Sequence, residues 1–352
     1  MKRPPFCPNS DCHLHHDHPT DRKKPWWTHD GTYRSKRSGV VRRFRCSACG
    51  RRFSESTFSV DYYSKKRVDL YRVRRLLING AGVRGAARAL FVSPSTVTRR
   101  IMILCRQSIA IHGALIEQLK PDEHLVADGF QSYSVSRYHP NNFNILAGAR
   151  SQYLYAMTYV TLRRSGRMTP NQIEHRERIE TQHPTERGAL ARSFDELLNE
   201  GDRVWRRMPP ADRVLRTDEH RTYRWCIAHR HVTGLTHITA PSTAPRTSTN
   251  PLFSVNYLDR EMRKDLAEHH RKTVCFARNS ALSVARMWVY LVWHNLDKPY
   301  RIAPKHAQSH VCVAGVDCKT VRALRRKLFT SRAFFRRSRL NHELRIVWTA
   351  MI

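Results

Sequence analysis

Acidic residues are scarce in this chain. It carries 29 Asp+Glu against 63 Lys+Arg in 352 residues, a formal charge of +34. The partner this suits is a polyanion. No apolar run reaches the length of a membrane span. No amphipathic or lipidation segment accompanies the basic charge, so nucleic acid is favoured over a membrane. The start, Met1-Lys2-Arg3-Pro4-Pro5, lacks the apolar region of a signal peptide. A cytoplasmic, nucleoid-associated protein is therefore expected. An even cysteine count is also missing. Nine cysteines without a secretion signal argue against a disulfide framework and for reduced thiols with a metal site. Apolar residues are not lacking. At 40%, with 7 Trp, 13 Tyr and 13 Phe, the chain is expected to fold, and its length suits two or three domains.

The few carboxylates are placed unusually. Leu125-Val126-Ala127-Asp128-Gly129 and Val214-Leu215-Arg216-Thr217-Asp218 are strand-like runs that each end in aspartate. A cationic protein gains nothing by turning carboxylates toward a phosphate backbone unless a divalent metal lies between them. Taken singly, either aspartate reads equally as a turn former or a helix N-cap.

Residues 1–60 read as a zinc ribbon. Cys7 and Cys12 form C-x4-C, and Cys46 and Cys49 form a C-x2-C knuckle followed by Gly50. Four thiolates in tetrahedral array make a closed structural Zn2+ site. His13, His15, His16 and His18 offer an alternative ligand, or form a solvated polar stretch. Residues 61–118 carry a helix-turn-helix pattern. Ser93 is a fitting N-cap and Pro94 a fitting first helical residue. The second helix then offers Ser95, Thr96, Thr98, Arg99 and Arg100 to a major groove and its phosphates.

Residues 119–302 read as an α/β domain. Strands are expected at 125–128, 142–148, 153–161 and 214–218, with a fifth within 227–240. A surface loop is expected over 164–186. A helical stripe, Leu190, Phe194, Leu197 and Leu198, is expected to stop at Gly201. Later helices are expected over 255–268 and 281–294. Three antiparallel strands, a helix, a further strand and then helices is the order of the RNase H-like fold. From 303 to 352 the chain is basic and less patterned. Arg322, Arg325, Arg326, Lys327, Arg332, Arg336, Arg337 and Arg339 suggest a DNA-contacting or tail segment.

Zinc ribbon, helix-turn-helix and α/β domain, in that order, resemble the bacterial insertion-element transposases of the DDE/RNase H-like superfamily. The resemblance spans residues 1–302. It rests on Cys7, Cys12, Cys46 and Cys49, on Ala127-Asp128-Gly129, and on Asp218-Glu219-His220-Arg221-Thr222-Tyr223. It also rests on the helix from Asn256 to Lys264 and the basic run from Arg271 to Arg278. It implies an RNase H-like catalytic domain that cuts element ends and joins them to target double-stranded DNA, with Mg2+ or Mn2+ on Asp128 and Asp218. A water attacks the phosphodiester at the element end, and the freed 3′-hydroxyl attacks target DNA. No Arg/His constellation can be assembled around Tyr133 or Tyr223 for a tyrosine recombinase. The third acidic position departs from the pattern. Some relatives have glutamate where Asn256 stands, and others have asparagine there with an acid three residues on, which here is Asp259. Asn256 and Asp259 share a helix face, whereas Glu261 lies off it. Arg263 and Lys264 are expected to hold phosphates, and the active form to be a homo-oligomer on DNA. Two other readings stand beside this one: a DNA-binding regulator with a degenerate catalytic domain, and a metal-dependent nuclease or resolvase that cuts without joining.

Overall fold

The computed structural model describes residues 3–16, 25–36, 38–62, 64–229, 234–270, 274–301 and 308–332. The chain begins with α1 (His13–His16) and an antiparallel sheet of β1 (Trp27–Ser35), β2 (Gly39–Cys46) and β3 (Arg52–Ser54). This module has its own small core, in which Leu14, Trp26, Phe44 and Phe53 surround the buried Cys7, Cys12 and Cys46. Gly50 takes φ +71 and donates its N–H to the Cys46 carbonyl at 3.0 Å. That turn is one only glycine adopts without strain. His15 is not a solvated residue. It is buried against Phe6, and its Nδ1 lies 2.7 Å from the Cys7 carbonyl oxygen. His13 is exposed, and the His16 side chain and His18 lie outside the described residues.

Three helices follow, α2 (Leu70–Ile78), α3 (Val83–Ala89) and α4 (Pro94–Ile116). Asp69 caps α2 by accepting the Tyr71 N–H at 2.8 Å. Ser93 caps α4 by accepting the Thr96 N–H at 3.3 Å, with Pro94 in the first turn. α4 is longer than a helix-turn-helix needs. Its second half buries Leu104, Cys105, Ile109, Ile111 and Leu115.

The main sheet has five strands in the order β6-β5-β4-β7-β8. They are β4 (Leu125–Tyr133), β5 (Pro140–Gly148), β6 (Leu154–Thr161), β7 (Val214–Thr217) and β8 (Thr236–Thr239). β4, β5 and β6 pair antiparallel, whereas β7 runs parallel to β4 and β8 parallel to β7. α5 (Pro170–Gln182) and α6 (Ala189–Trp205) connect β6 to β7, and α7 (Arg221–Ala228) connects β7 to β8. α8 (Phe253–Asp265), α9 (Ser280–Leu296), α10 (His310–Val313) and α11 (Cys318–Thr330) complete the described chain. α8 packs on β4 and β5, and α9 lies between α4 and β6. One apolar core extends from Val60 through the sheet to Leu328. α2, α3 and α4, the sheet and α11 therefore share an interior. No helix among the described residues is long and apolar enough to cross a membrane.

Four expectations change. The loop expected over 164–186 holds α5, started by Thr169 and Gln172 in a reciprocal capping box with Pro170 in the first turn. α5 buries no residue, so it shows no apolar stripe. Gly201 does not stop α6. A Cβ there would lie 2.5 Å from the Trp205 ring, so glycine makes room for the indole. The strand expected within 227–240 is confined to Thr236–Thr239, with α7 before it. The basic segment from 303 contains α11, which buries Val321, Leu324 and Leu328. There Arg325 donates to the Leu296 carbonyl at 2.7 Å and pairs with Asp297 at 2.8 Å. Arg336, Arg337 and Arg339 lie outside the described residues.

Candidate active site

β4 sits at the switch between the antiparallel and the parallel half of the sheet. Its parallel register with β7 pairs Leu125 with Leu215 and Val126 with Arg216. The same offset brings Asp128 level with Asp218, at the carboxyl end of β7, where open α/β sheets bind ligands. Asp128 is half-buried. Burial raises its carboxyl to about 6, with Asp218 adding to the rise, while the Gly129 N–H at 2.7 Å and the charge of Arg246 act the other way. Asp218 is held by a different local contact, accepting the His220 N–H at 3.0 Å.

Tyr223 lies on α7. Burial raises its phenol well above the usual value, and the fields of Asp128, Asp218 and Asp259 raise it further. The ring stacks on Phe194 with centroids 4.1 Å apart. Its hydroxyl lies over Gly129, where a Cβ would come within 2.4 Å of it and 2.8 Å of the Asn142 amide. Behind it runs a buried polar chain. Asn142 donates to Asn144 at 2.7 Å, and Asn144 donates to Ser193 at 3.0 Å and Thr158 at 3.2 Å. The sequence reading missed Asn142, Asn144 and Arg246. Asn141-Asn142 and Asn144 in an otherwise apolar strand were the available signal for the first two.

Asn256 and Asp259 stand one turn apart on α8, both half-buried, and α8 packs on β4 and β5. Glu261 is buried elsewhere, bonded to Lys264 at 2.6 Å and Lys298 at 2.5 Å, which hold its carboxyl below the usual range against the effect of burial. Arg263 is not the free phosphate holder expected. It donates to the Gln131 carbonyl at 3.0 Å and the His269 carbonyl at 3.1 Å, and its guanidinium lies 4.5 Å from the centre of the Phe130 ring. Its role is to fasten α8 to β4. Lys264 keeps 59% side-chain exposure while paired with Glu261, so it remains open to solvent on one side.

The N-terminal cysteines come together. All four sulfurs of Cys7, Cys12, Cys46 and Cys49 lie within 4.8 Å of one another. Cys7 and Cys49 are 3.6 Å apart, and Cys12 and Cys46 are 3.9 Å apart. Thiolates bound tetrahedrally to Zn2+ stand about 3.8 Å from each other, so the set can bind a structural metal such as zinc. Burial pushes the Cys7 and Cys12 thiols up. At Cys49 burial acts the same way, but the Arg51 N–H and the Asn9 side chain bring the thiol down to about 7. Among the described residues this is the only set of three or more potential ligands drawn so close. The carboxylates around Tyr223 are more loosely gathered.

Ser95 and Arg99 are exposed at the start of α4, and Thr96 and Thr98 are half-exposed. Arg100 does not face a groove. It is 2% exposed, paired with Asp61 at 2.7 Å and donating to the Lys66 carbonyl at 2.6 Å. The helical period puts it beside Val97, Ile101 and Leu104, on the buried face.

No protein-family model matches this chain, and no curated protein matches it in sequence.

Proposed function

We propose that the chain is a DNA transposase that cuts element ends and joins them to target double-stranded DNA by metal-dependent phosphoryl transfer. The observation that carries this is the parallel pairing of β4 with β7, which sets Asp128 level with Asp218 in a chain of net charge +34. Three antiparallel strands followed by two parallel ones joined through helices support an RNase H-like catalytic domain.

Asp128 and Asp218 would hold Mg2+ or Mn2+, with Asp259 as the third acid and the Asn256 amide one turn away. The fit is electrostatic. Asp128 is a half-buried carboxyl made hard to ionise by desolvation and by its neighbour Asp218, and a divalent cation relieves both penalties. When bound, the cation supplies positive charge to the oxygens that gain negative charge during phosphoryl transfer. Tyr223, stacked on Phe194, fixes the geometry beside Gly129 and is assigned no nucleophilic role. Asn142 and Asn144 hold Tyr223 over Gly129. Arg246, close enough to act on Asp128, provides positive charge beside the cleft. Arg99, Ser95, Thr96 and Thr98 hold the DNA away from the reaction, and the cysteine set holds a structural zinc.

The test is a strand-transfer assay with a pre-cut element end and Mg2+ or Mn2+. The wild type joins ends. Asp128→Asn and Asp218→Asn lose cleavage and joining while still binding DNA. Cleavage without joining would make it a nuclease, and binding without either, a regulator. Full activity in either variant would overturn the site.

A further inference from the structure

α3 ends in a motif that ordinarily calls for glycine. The Val92 N–H reaches the Ala87 carbonyl at 3.1 Å, and the Phe91 N–H reaches the Arg88 carbonyl at 3.3 Å. These are the two bonds of a Schellman motif, which places Phe91 at the left-handed position after the cap. Its φ is +53. A bulky residue there is strained, whereas glycine fits freely. Folding does not repay this strain, because Phe91 is 94% exposed. Its neighbour Val92, by contrast, packs on the core. The turn thus bears backbone strain and an exposed ring together.

The surroundings suit one partner. Phe91 borders an open depression lined by Lys66, Arg84, Arg88, Ser93 and Pro94. The three cations are exposed, and the lining includes no acidic residue. The depression lies directly before the N-terminus of α4, the end that a recognition helix turns toward the bases. An apolar protein partner would gain the ring but bury three cations. Duplex DNA neutralises the cations and offers base steps into which an aromatic side chain can wedge.

We infer that Phe91 is a DNA-deforming wedge, held out by the α3–α4 turn to unstack a base step beside the groove that α4 enters. The inference rests on the DNA-binding reading above and adds a distortion that α4 alone does not require. The wedge favours flexible pyrimidine–purine steps, because these unstack most easily.

The experiment uses the full chain and a duplex carrying 2-aminopurine at pyrimidine–purine steps. The wild type should raise 2-aminopurine fluorescence on binding. Phe91→Gly should abolish that rise and weaken binding by at least about five-fold. It should leave the slope of log affinity against log salt unchanged, since no phosphate contact is lost. The same variant should melt a few degrees higher, because the strain is gone and little packing is lost. Phe91→Trp should keep the fluorescence rise. A wild-type rise and wild-type affinity in Phe91→Gly would overturn the wedge and leave the DNA-binding reading standing. A lowered melting point in Phe91→Gly would show that the ring packs within the protein, and would also overturn it. Absence of DNA binding by the wild type would overturn both.

Discussion

Replacing Arg100 separates a structural arginine from the neighbour proposed to read DNA, Arg99. Its guanidinium bonds Asp61 and the Lys66 carbonyl at 2.7 and 2.6 Å, and its side chain is 3% exposed against 18% for Asp61. Removing one partner of a buried ion pair costs about 3–5 kcal/mol. Asp61 keeps some contact with water, so Arg100→Ala should fall at the lower end, about 3 kcal/mol. At about 2 °C or more per kcal/mol, that is a fall in melting temperature of roughly 6 °C. Arg100→Met keeps the apolar stem and should lose less. Arg99→Ala, on the exposed face, should change stability by less than about 0.5 kcal/mol. It should instead reduce the salt slope of DNA binding by about one. Circular dichroism melts and salt-titrated binding of the three variants decide the matter. If Arg100→Ala melts with the wild type and loses DNA affinity as Arg99→Ala does, the inward reading of Arg100 is wrong.

Asp259→Ala should eliminate strand transfer without lowering the melting temperature, whereas Glu261→Ala should destabilise by about 1–3 kcal/mol, because it leaves Lys298 partly buried and unpaired. The reverse pattern in paired melts and transfer assays would move the third acid to Glu261. Gly129→Ala drives a methyl into the Tyr223 hydroxyl and the Asn142 amide. It should cost about 1–3 kcal/mol and most of the activity while DNA binding persists, and wild-type turnover would refute the close approach. Cys46→Ser or Cys49→Ser should release one equivalent of zinc and unfold the N-terminal module, and metal analysis finding no zinc in the wild type would refute the site. His112 is buried, its Nε2 3.0 Å from the Tyr155 carbonyl oxygen, and burial lowers it to about 4 from 6.5. The unfolded chain therefore takes up this proton first. Stability is full above about pH 6.5 and falls by up to about 3 kcal/mol as the pH drops to about 4. His112→Gln should flatten that fall in urea midpoints, and an unchanged pH slope would refute it.

What was legible in the sequence was local. Ser93 and Pro94 announced α4, and Cys46 to Gly50 announced a metal knuckle, because caps and turns are read from neighbouring residues. β-rich runs located the strands. The level placement of Asp128 and Asp218 depends on the parallel pairing of β4 with β7, which neither run reveals alone. α5 escaped because it has no buried face, although Thr169, Pro170 and Gln172 spelled its start. α11 escaped because Val321, Leu324 and Leu328 stand among five Lys and Arg residues of that helix. Arg100 was misread for its charge. Its spacing from Val97 and Leu104 pointed inward, but its partner Asp61 lies on a separate segment.

α4 also has a mechanical consequence. At about 1.5 Å per residue its 23 residues span about 34 Å. Its first turn is exposed, and its last turns are fastened to β6 through α9 and through the His112 contact with Tyr155. The helix is therefore a gauge. On the DNA-binding reading proposed above, a duplex held at its tip would stand at a distance from Asp128 set by the helix, with no linker to absorb a change. One residue inserted into the middle of the rod would swing the tip by about 100°, so tip and cleft would no longer address the same stretch of duplex.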